Sequence, residues 1–183
     1  MKKELEIRYH IEQRQKRGLI FSLEKMGWIA ETIIQEDIYF CAKEYVDSGK
    51  TKNCPYVLRI RKSNMDKTLT YKSFDGGDGS SWIEIETKVE NHDSLKSILI
   101  NLKQEPYLSI KKHRLSGHVG KIEINIDKID DLGNFIELEI ITDNESGGRK
   151  TLMEFSNTLG LSNKEIIKKG YVQLMESRPS INK

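Results

Sequence analysis

Lys2-Lys3-Glu4-Leu5-Glu6-Ile7-Arg8-Tyr9-His10-Ile11 opens the chain and alternates strictly between polar and apolar residues. As a strand it places Leu5, Ile7, Tyr9 and Ile11 on one side and Glu4, Glu6, Arg8 and His10 on the other. Alone, such a segment describes any half-buried strand whose charged face meets water. The same arrangement recurs along the chain with a changing sign of charge, and that recurrence shapes the rest of the reading.

Composition narrows the classes. A chain of 183 residues suits one domain, residues 1–183, large enough to bury roughly 70% of the surface its unfolded form exposes. Charged residues reach 32%, yet 30 Lys+Arg against 28 Asp+Glu leave a net charge of only +2. That balance argues against electrostatic binding of nucleic acid or of an anionic membrane. Cys41 and Cys54 cannot build a disulfide framework and lack metal-pair spacing. No apolar run approaches the ~20 residues of a membrane span, and no signal-peptide core follows the N-terminus, so a cytoplasmic protein is expected.

Along the chain, Gln13 to Lys25 carries Ile20 and Leu23 at helical spacing, with Gly27 as the stop. Trp28 to Cys41 reads as a strand with Gln35, Asp37 and Tyr39 on one face, and Lys43 to Asn53 as a polar loop. Tyr56 to Arg61 and Lys67 to Phe74 form an antiparallel pair turning at Ser63 to Asp66. Asp75 to Ser80 is glycine-rich but lacks a phosphate-loop lysine and reads as a connection. Trp82 to Val89 alternates again, and His92 to Leu102 is a helix. Tyr107 to Leu115 and His118 to Ile126 read as a hairpin turning at Ser116-Gly117. Asn134 to Ile141 is the last strand, and Ser146-Gly147-Gly148 leads into a C-terminal helical region.

The result is an α+β chain of about eight mostly antiparallel strands, each with an apolar and a charged face. An open sheet with one wet side satisfies this, and so does a closed barrel with a polar lumen flanked by helices. Residue identities favour the barrel. Arg59, Arg61, Lys72, Lys112 and Arg114 supply cations, while Glu4, Glu6, Glu84, Glu86, Asp127, Glu137 and Glu139 supply carboxylates from other strands. Carboxylates hold Mg²⁺ or Mn²⁺ as hard oxygen ligands, and guanidinium and ammonium groups hold phosphate oxygens, a combination suited to a nucleotide or polyphosphate.

These residues resemble the CYTH domain, the triphosphate tunnel metalloenzyme fold of class IV adenylyl cyclases and thiamine triphosphatases. Glu4-Leu5-Glu6-Ile7-Arg8 is similar to its E-x-E-x-K opening, Gln35 to Phe40 to Q-x-D-x-Y-F, Leu58 to Arg61 to L-R-I-R, and Thr68 to Lys72 to T-x-T-Y-K. Glu84-Ile85-Glu86, Lys112-His113-Arg114 and Asp127 to Glu139 continue the series in order, and the Tyr171 segment resembles the closing aromatic stretch of the cyclase-like branch. The resemblance implies a closed eight-stranded antiparallel tunnel. It also implies phosphate contacts from Arg8, Arg59, Arg61, Lys72, Lys112 and Arg114, and Mg²⁺ or Mn²⁺ held by Glu4, Glu6, Asp127, Glu137 and Glu139. Glu84 and Glu86 fit either the metal shell or an internal ion-pair network.

Arg8 departs from the signature lysine; it keeps the charge but cannot deprotonate near neutrality, so no general base is assigned. The implied activities are cyclisation of ATP to cyclic AMP and pyrophosphate, hydrolysis of inorganic or thiamine triphosphate, or binding without turnover. Relatives of the cyclase type suggest a homodimer.

Overall fold

The structure, a computed structural model, describes residues 3–64, 66–74 and 82–178; the Asp75 to Ser80 connection lies outside them. The chain divides into two compact units, Met1–Ile33 with Lys112–Lys183, and Ile34–Lys111.

In the first unit, β1 (Lys3–Ile11) pairs with β8 (Gly133–Thr142), β8 with β7 (Ile122–Ile129), and β7 with the C-terminal half of β6 (Gln104–Val119), all antiparallel. The alternation of β1 is realised as read: Leu5, Ile7, Tyr9 and Ile11 are buried. They join Ile122, Ile124 and Ile126 of β7 and Ile136, Leu138 and Ile140 of β8 in one apolar layer. Leu19 and Leu23 of α1 (Gln13–Lys25), Trp28, and Leu152 of α4 (Glu145–Thr158) cover that layer. Each fully buried aliphatic side chain contributes about 1.5–3 kcal/mol, so this layer fixes which face of every strand is left for charge.

The second unit holds β2 (Glu31–Ala42), β3 (Tyr56–Ser63), β4 (Lys67–Phe74) and β5 (Trp82–Lys88) in that order, with the N-terminal half of β6 beside β2. The β2–β3, β3–β4 and β4–β5 ladders are antiparallel. Phe40, Leu58 and Ile60 pack with Leu99 of α3 (His92–Asn101), whose first turn is capped by Asn91 accepting from the Ser94 amide at 2.9 Å. No helix among the described residues is long and apolar enough to cross a membrane.

Three local readings are corrected. Ser116-Gly117 is not a hairpin turn, because β6 runs unbroken through it and the chain reverses at Gly120, whose φ is +60°. Gly117 serves close approach instead: a Cβ there would collide with the Ile29 carbonyl and lie 2.7 Å from Trp28 Nε1. Trp28 consequently precedes β2 rather than opening it, and belongs to the first unit's core. Lys43 to Asn53 is not all loop: it contains α2 (Lys43–Asp47), with Lys43 and Asp47 paired at 3.1 Å, and a 3₁₀ turn at Thr51–Asn53.

Gly117→Ala is therefore expected to lower stability by about 1–3 kcal/mol through overpacking. Gly18→Ala, inside α1 with open space around it, is expected to raise stability by about 0.5–1 kcal/mol. Denaturant unfolding of the two variants checks both signs; equal effects would contradict the close approach at Gly117.

Candidate functional site

In the first unit the face opposite the apolar layer is built by register. Arg8 lies across from Glu137 and Glu6 across from Glu139 on the β1–β8 ladder. Glu137 faces Asn125, and Glu139 faces Glu123, between β8 and β7. Arg114 faces Asp127 between β6 and β7. Sequence alternation placed these residues on one side of each strand; strand pairing makes them neighbours.

Asp127 and Glu137 form the buried centre, with relative exposures of 0% and 3%. Arg114 grips Asp127 with two bonds, Nε to Oδ1 at 2.7 Å and Nη2 to Oδ2 at 2.8 Å, and Nη2 also donates to Glu137 Oε2. Arg8 Nε donates to Glu137 Oε1 at 2.6 Å, its Nη1 donates to the Lys169 carbonyl at 2.8 Å, and its Nη2 lies 2.5 Å from Glu6 Oε1. Lys112, itself buried, stands 3.7 Å from Asp127 Oδ2. Buried charges are tolerated only when paired and hydrogen-bonded in this manner.

Tyr171, at the start of α5 (Tyr171–Glu176), completes the network. Its hydroxyl donates to Asp127 Oδ2 at 3.0 Å, and its ring lies 4.3 Å from the Arg8 guanidinium and packs edge-on against Phe135. The Ile167 amide donates to the Arg8 carbonyl at 2.8 Å, so the C-terminal segment is tied to β1 at the same residue.

The electrostatics separate two glutamates of β8. Burial acts to raise Glu137, but Arg114, Arg8 and Lys112 overcome it and hold the carboxyl at about 2. Burial, and then the charge of Glu137, push Glu139 up to about 8, with Glu6 and Glu123 adding to the effect. Glu6 is also raised, by burial and by Glu137. Burial opposes the charged forms of Arg8 and Arg114, yet their acidic partners keep both guanidiniums above the ordinary value. Burial, with Glu137 and Asp127, drives Tyr171 far above the usual phenol range and keeps it a hydrogen-bond donor.

The second unit carries its own charged face. Arg61 grips Asp37 with two bonds of 2.7 Å. Arg59 Nη2 donates to Thr70 Oγ1 at 2.9 Å and lies 3.6 Å from Glu86, to which the Thr70 hydroxyl donates at 2.7 Å. Lys72 pairs with Glu84 at 2.8 Å. Glu84 and Glu86 are thus both seen in ion pairs with the cations of this face.

The metal implied by the resemblance meets a suitable set of donors. Glu6, Glu139 and Glu123 occupy one cross-strand row, and Asn125, fully buried, donates 3.2 Å bonds to Glu123 and Glu139 while its Oδ1 has no partner among the described residues. Crowded carboxylates beside an orphaned amide oxygen are the oxygen donors a hard divalent cation takes. Among the described residues, no three His, Cys, Asp or Glu side chains form a ready-made metal cluster, so these groups fit by type and row. Glu4 lies exposed at the end of the β1 row. Asn125 and Asp37 were not picked out from sequence as site residues; the available signal was their place on the same strand faces as Asp127 and Gln35.

A family model described as CYTH domain matches residues 2–171. The chain belongs to the CYTH domain family. The Methanocaldococcus jannaschii protein named "Putative adenylate cyclase MJ0240" is 31% identical over 176 residues, covering 93% of this chain and 97% of that protein. The solved PH1012 protein of Pyrococcus horikoshii OT3 shares this CYTH chain's fold with a TM-score of 0.76 at 22% identity, over 94% of this chain and 99% of that one. A Hippeastrum protein, described as a "putative adenylyl cyclase" with a dominant triphosphatase activity, has a TM-score of 0.69 at 17% identity, over 97% and 96% of the two chains. At those identities the structural likeness concerns the fold.

The two glutamates make opposite demands on pH. Glu137, held below its unfolded value, contributes stability that is present above about pH 4.5 and lost as pH falls toward about 2. Glu139, held above its unfolded value, contributes stability present below about pH 4.5 and lost as pH rises through about 8. Without added metal, wild type is therefore expected to lose stability relative to Glu139→Gln from about pH 5 to about pH 8. Thermal unfolding across that range checks this; a constant difference between the two proteins would contradict it.

Proposed function

We propose that this CYTH chain is a metal-dependent enzyme acting on a triphosphate, most simply converting ATP to cyclic AMP and pyrophosphate in the manner of class IV adenylyl cyclases. The supporting observation is the single face of the first unit on which Arg8, Lys112 and Arg114 meet Glu6, Asp127, Glu137 and Glu139. The Methanocaldococcus relative's name points the same way.

Phosphoryl and nucleotidyl transfer ask little covalent chemistry of a protein; positioning and neutralisation of oxygen charge do most of the work. Asp127 and Glu137 hold Arg114 and Arg8 rigid, so these guanidiniums need no reorganisation when phosphate charge arrives. Lys112 is the more compact cation on the same face. Arg59, Arg61 and Lys72 are the candidate phosphate contacts of the second unit, each braced by a carboxylate there. Glu4, Glu6 and Glu139 would hold Mg²⁺ or Mn²⁺, with Asp127 and Glu137 behind them. The bound cation would neutralise phosphate oxygens and polarise the phosphorus under attack. Closure of the strands around a charged lumen belongs to this reading.

Hydrolysis is the second reading, favoured by the activity described for the Hippeastrum protein. Water would then attack a terminal phosphorus on the same cation set. Incubation of the purified chain with Mg²⁺ or Mn²⁺ and, separately, ATP, tripolyphosphate and thiamine triphosphate separates the two. Cyclic AMP with pyrophosphate is the expected outcome; orthophosphate release would replace it with the second reading, and no turnover of any substrate would overturn both. Glu139→Gln is expected to raise the metal concentration for half-maximal rate by roughly tenfold or more. An unchanged metal requirement would remove Glu139 from the site.

A further inference from the structure

The segment from Ile167 to Tyr171 belongs to no strand, yet it closes on Arg8 at three points. The Ile167 amide donates to the Arg8 carbonyl at 2.8 Å, the Lys169 carbonyl accepts from Arg8 Nη1 at 2.8 Å, and the Tyr171 ring lies 4.3 Å from the guanidinium. Tyr171 reaches further. Its ring centroid is 5.6 Å from Lys112 Nζ, and its hydroxyl donates at 3.0 Å to Asp127 Oδ2, the oxygen that also accepts from Arg114 Nη2 at 2.8 Å. One side chain, held edge-on against the buried Phe135, therefore bears on the placement of Arg8, Lys112 and Arg114.

A phenol suits that place. The carboxylates of this network hold the cations by cancelling their charge, and every added carboxylate would also repel a phosphate chain. An aromatic face attracts cations through its quadrupole and carries no net charge, so it fixes them without adding that repulsion. The hydroxyl, neutral at pH 7, directs Asp127 by hydrogen bonding and likewise leaves the charge of the site unchanged.

We propose that Tyr171 is a positioning residue of the triphosphate site, its ring setting Arg8 and Lys112 for ligand binding and its hydroxyl setting Arg114, through Asp127, for turnover. This rests on the triphosphate reading above and goes beyond it by giving the C-terminal segment a part in the reaction. Loss of the ring releases two long side chains, whose rotamer freedom must then be given up when the ligand binds. Loss of the hydroxyl alone keeps that binding geometry and loosens the alignment of Arg114, which matters most as charge develops at the phosphorus.

The test uses the full chain with Mn²⁺. Tripolyphosphate affinity is measured by calorimetry, and kcat and KM on ATP or tripolyphosphate, whichever is turned over. The proteins are wild type, Tyr171→Leu, Tyr171→Phe and, as a control for lost stability, Leu159→Ala, whose side chain packs in the apolar core. Tyr171→Leu is expected to weaken tripolyphosphate about 5- to 10-fold and to lower kcat as well. Tyr171→Phe is expected to restore affinity to within about twofold of wild type while kcat stays about fivefold low. Leu159→Ala is expected to lower the unfolding temperature and to leave affinity and kcat within about twofold of wild type. Tyr171→Met, which fills much of the ring's volume without its π face, takes the place of Tyr171→Leu should that variant not fold.

Unweakened tripolyphosphate binding by Tyr171→Leu, or losses no larger than those of Leu159→Ala, would overturn the positioning role and leave the triphosphate reading intact. Equal loss of affinity in Tyr171→Phe and Tyr171→Leu, or an unaltered kcat in Tyr171→Phe, would overturn the division between ring and hydroxyl. Where wild type binds without turnover, the affinities decide. Failure of wild type to bind either ligand would remove the triphosphate reading and this role with it.

Discussion

Arg114 joins the two most deeply buried acids of the first unit, gripping Asp127 with a two-pronged hydrogen bond and reaching Glu137 with the same nitrogen. Removing any member would strand an unpaired charge away from water, which costs about 3–5 kcal/mol. The strands β1, β6, β7 and β8 each contribute to this network, so it couples their register to the charge it protects. Apolar packing on the other face decides which way the strands turn, and the ion network decides what they present.

Two consequences follow from the order of the charges. Glu137 is surrounded by cations and stays ionised, which makes it an anchor for Arg8 and Arg114. Glu139, two residues along the same strand, meets burial and other carboxylates, and holds its proton into the neutral range. A single strand therefore offers a fixed counter-ion and, beside it, a carboxyl whose charge depends on what arrives. Under the proposed metal-dependent reading, a divalent cation would relieve the repulsion that the protein's own residues create. Tyr171 adds a lid of a different character: its ring covers Arg8 while its hydroxyl serves Asp127, so the C-terminal segment is bound to the network it covers.

Much of this was legible in the sequence because period-two alternation is a strong signal. β1, α1 and β4 occupy the residues that the pattern indicates, and the charged faces follow from parity alone. The turn at Ser116-Gly117 was misread because a glycine needed for close approach looks, in one dimension, like a glycine needed for reversal. Its reason, Trp28 and Ile29, lies almost ninety positions away in the chain. α2 carries no apolar stripe, and its signal was drowned by polar neighbours. In the candidate site the residue types were legible and their partners were not. That Asp127 is held by Arg114 and Tyr171, or that Asn125 donates to two glutamates of the row beside its own, depends on register between strands, which alternation does not specify.

The central claim is that opposed environments on β8 prepare one glutamate as an anchor and its neighbour as a cation-responsive ligand. Carbon-13 NMR titration of the glutamate side-chain carboxyls, with and without Mg²⁺, tests it directly. Without metal, Glu139 is expected to titrate near 8 and Glu137 near 2, and Mg²⁺ is expected to bring Glu139 down into the ordinary carboxylate range while Glu137 stays low. Titration of Glu139 in the ordinary range without metal, or a raised Glu139 that Mg²⁺ leaves unmoved, would contradict the account.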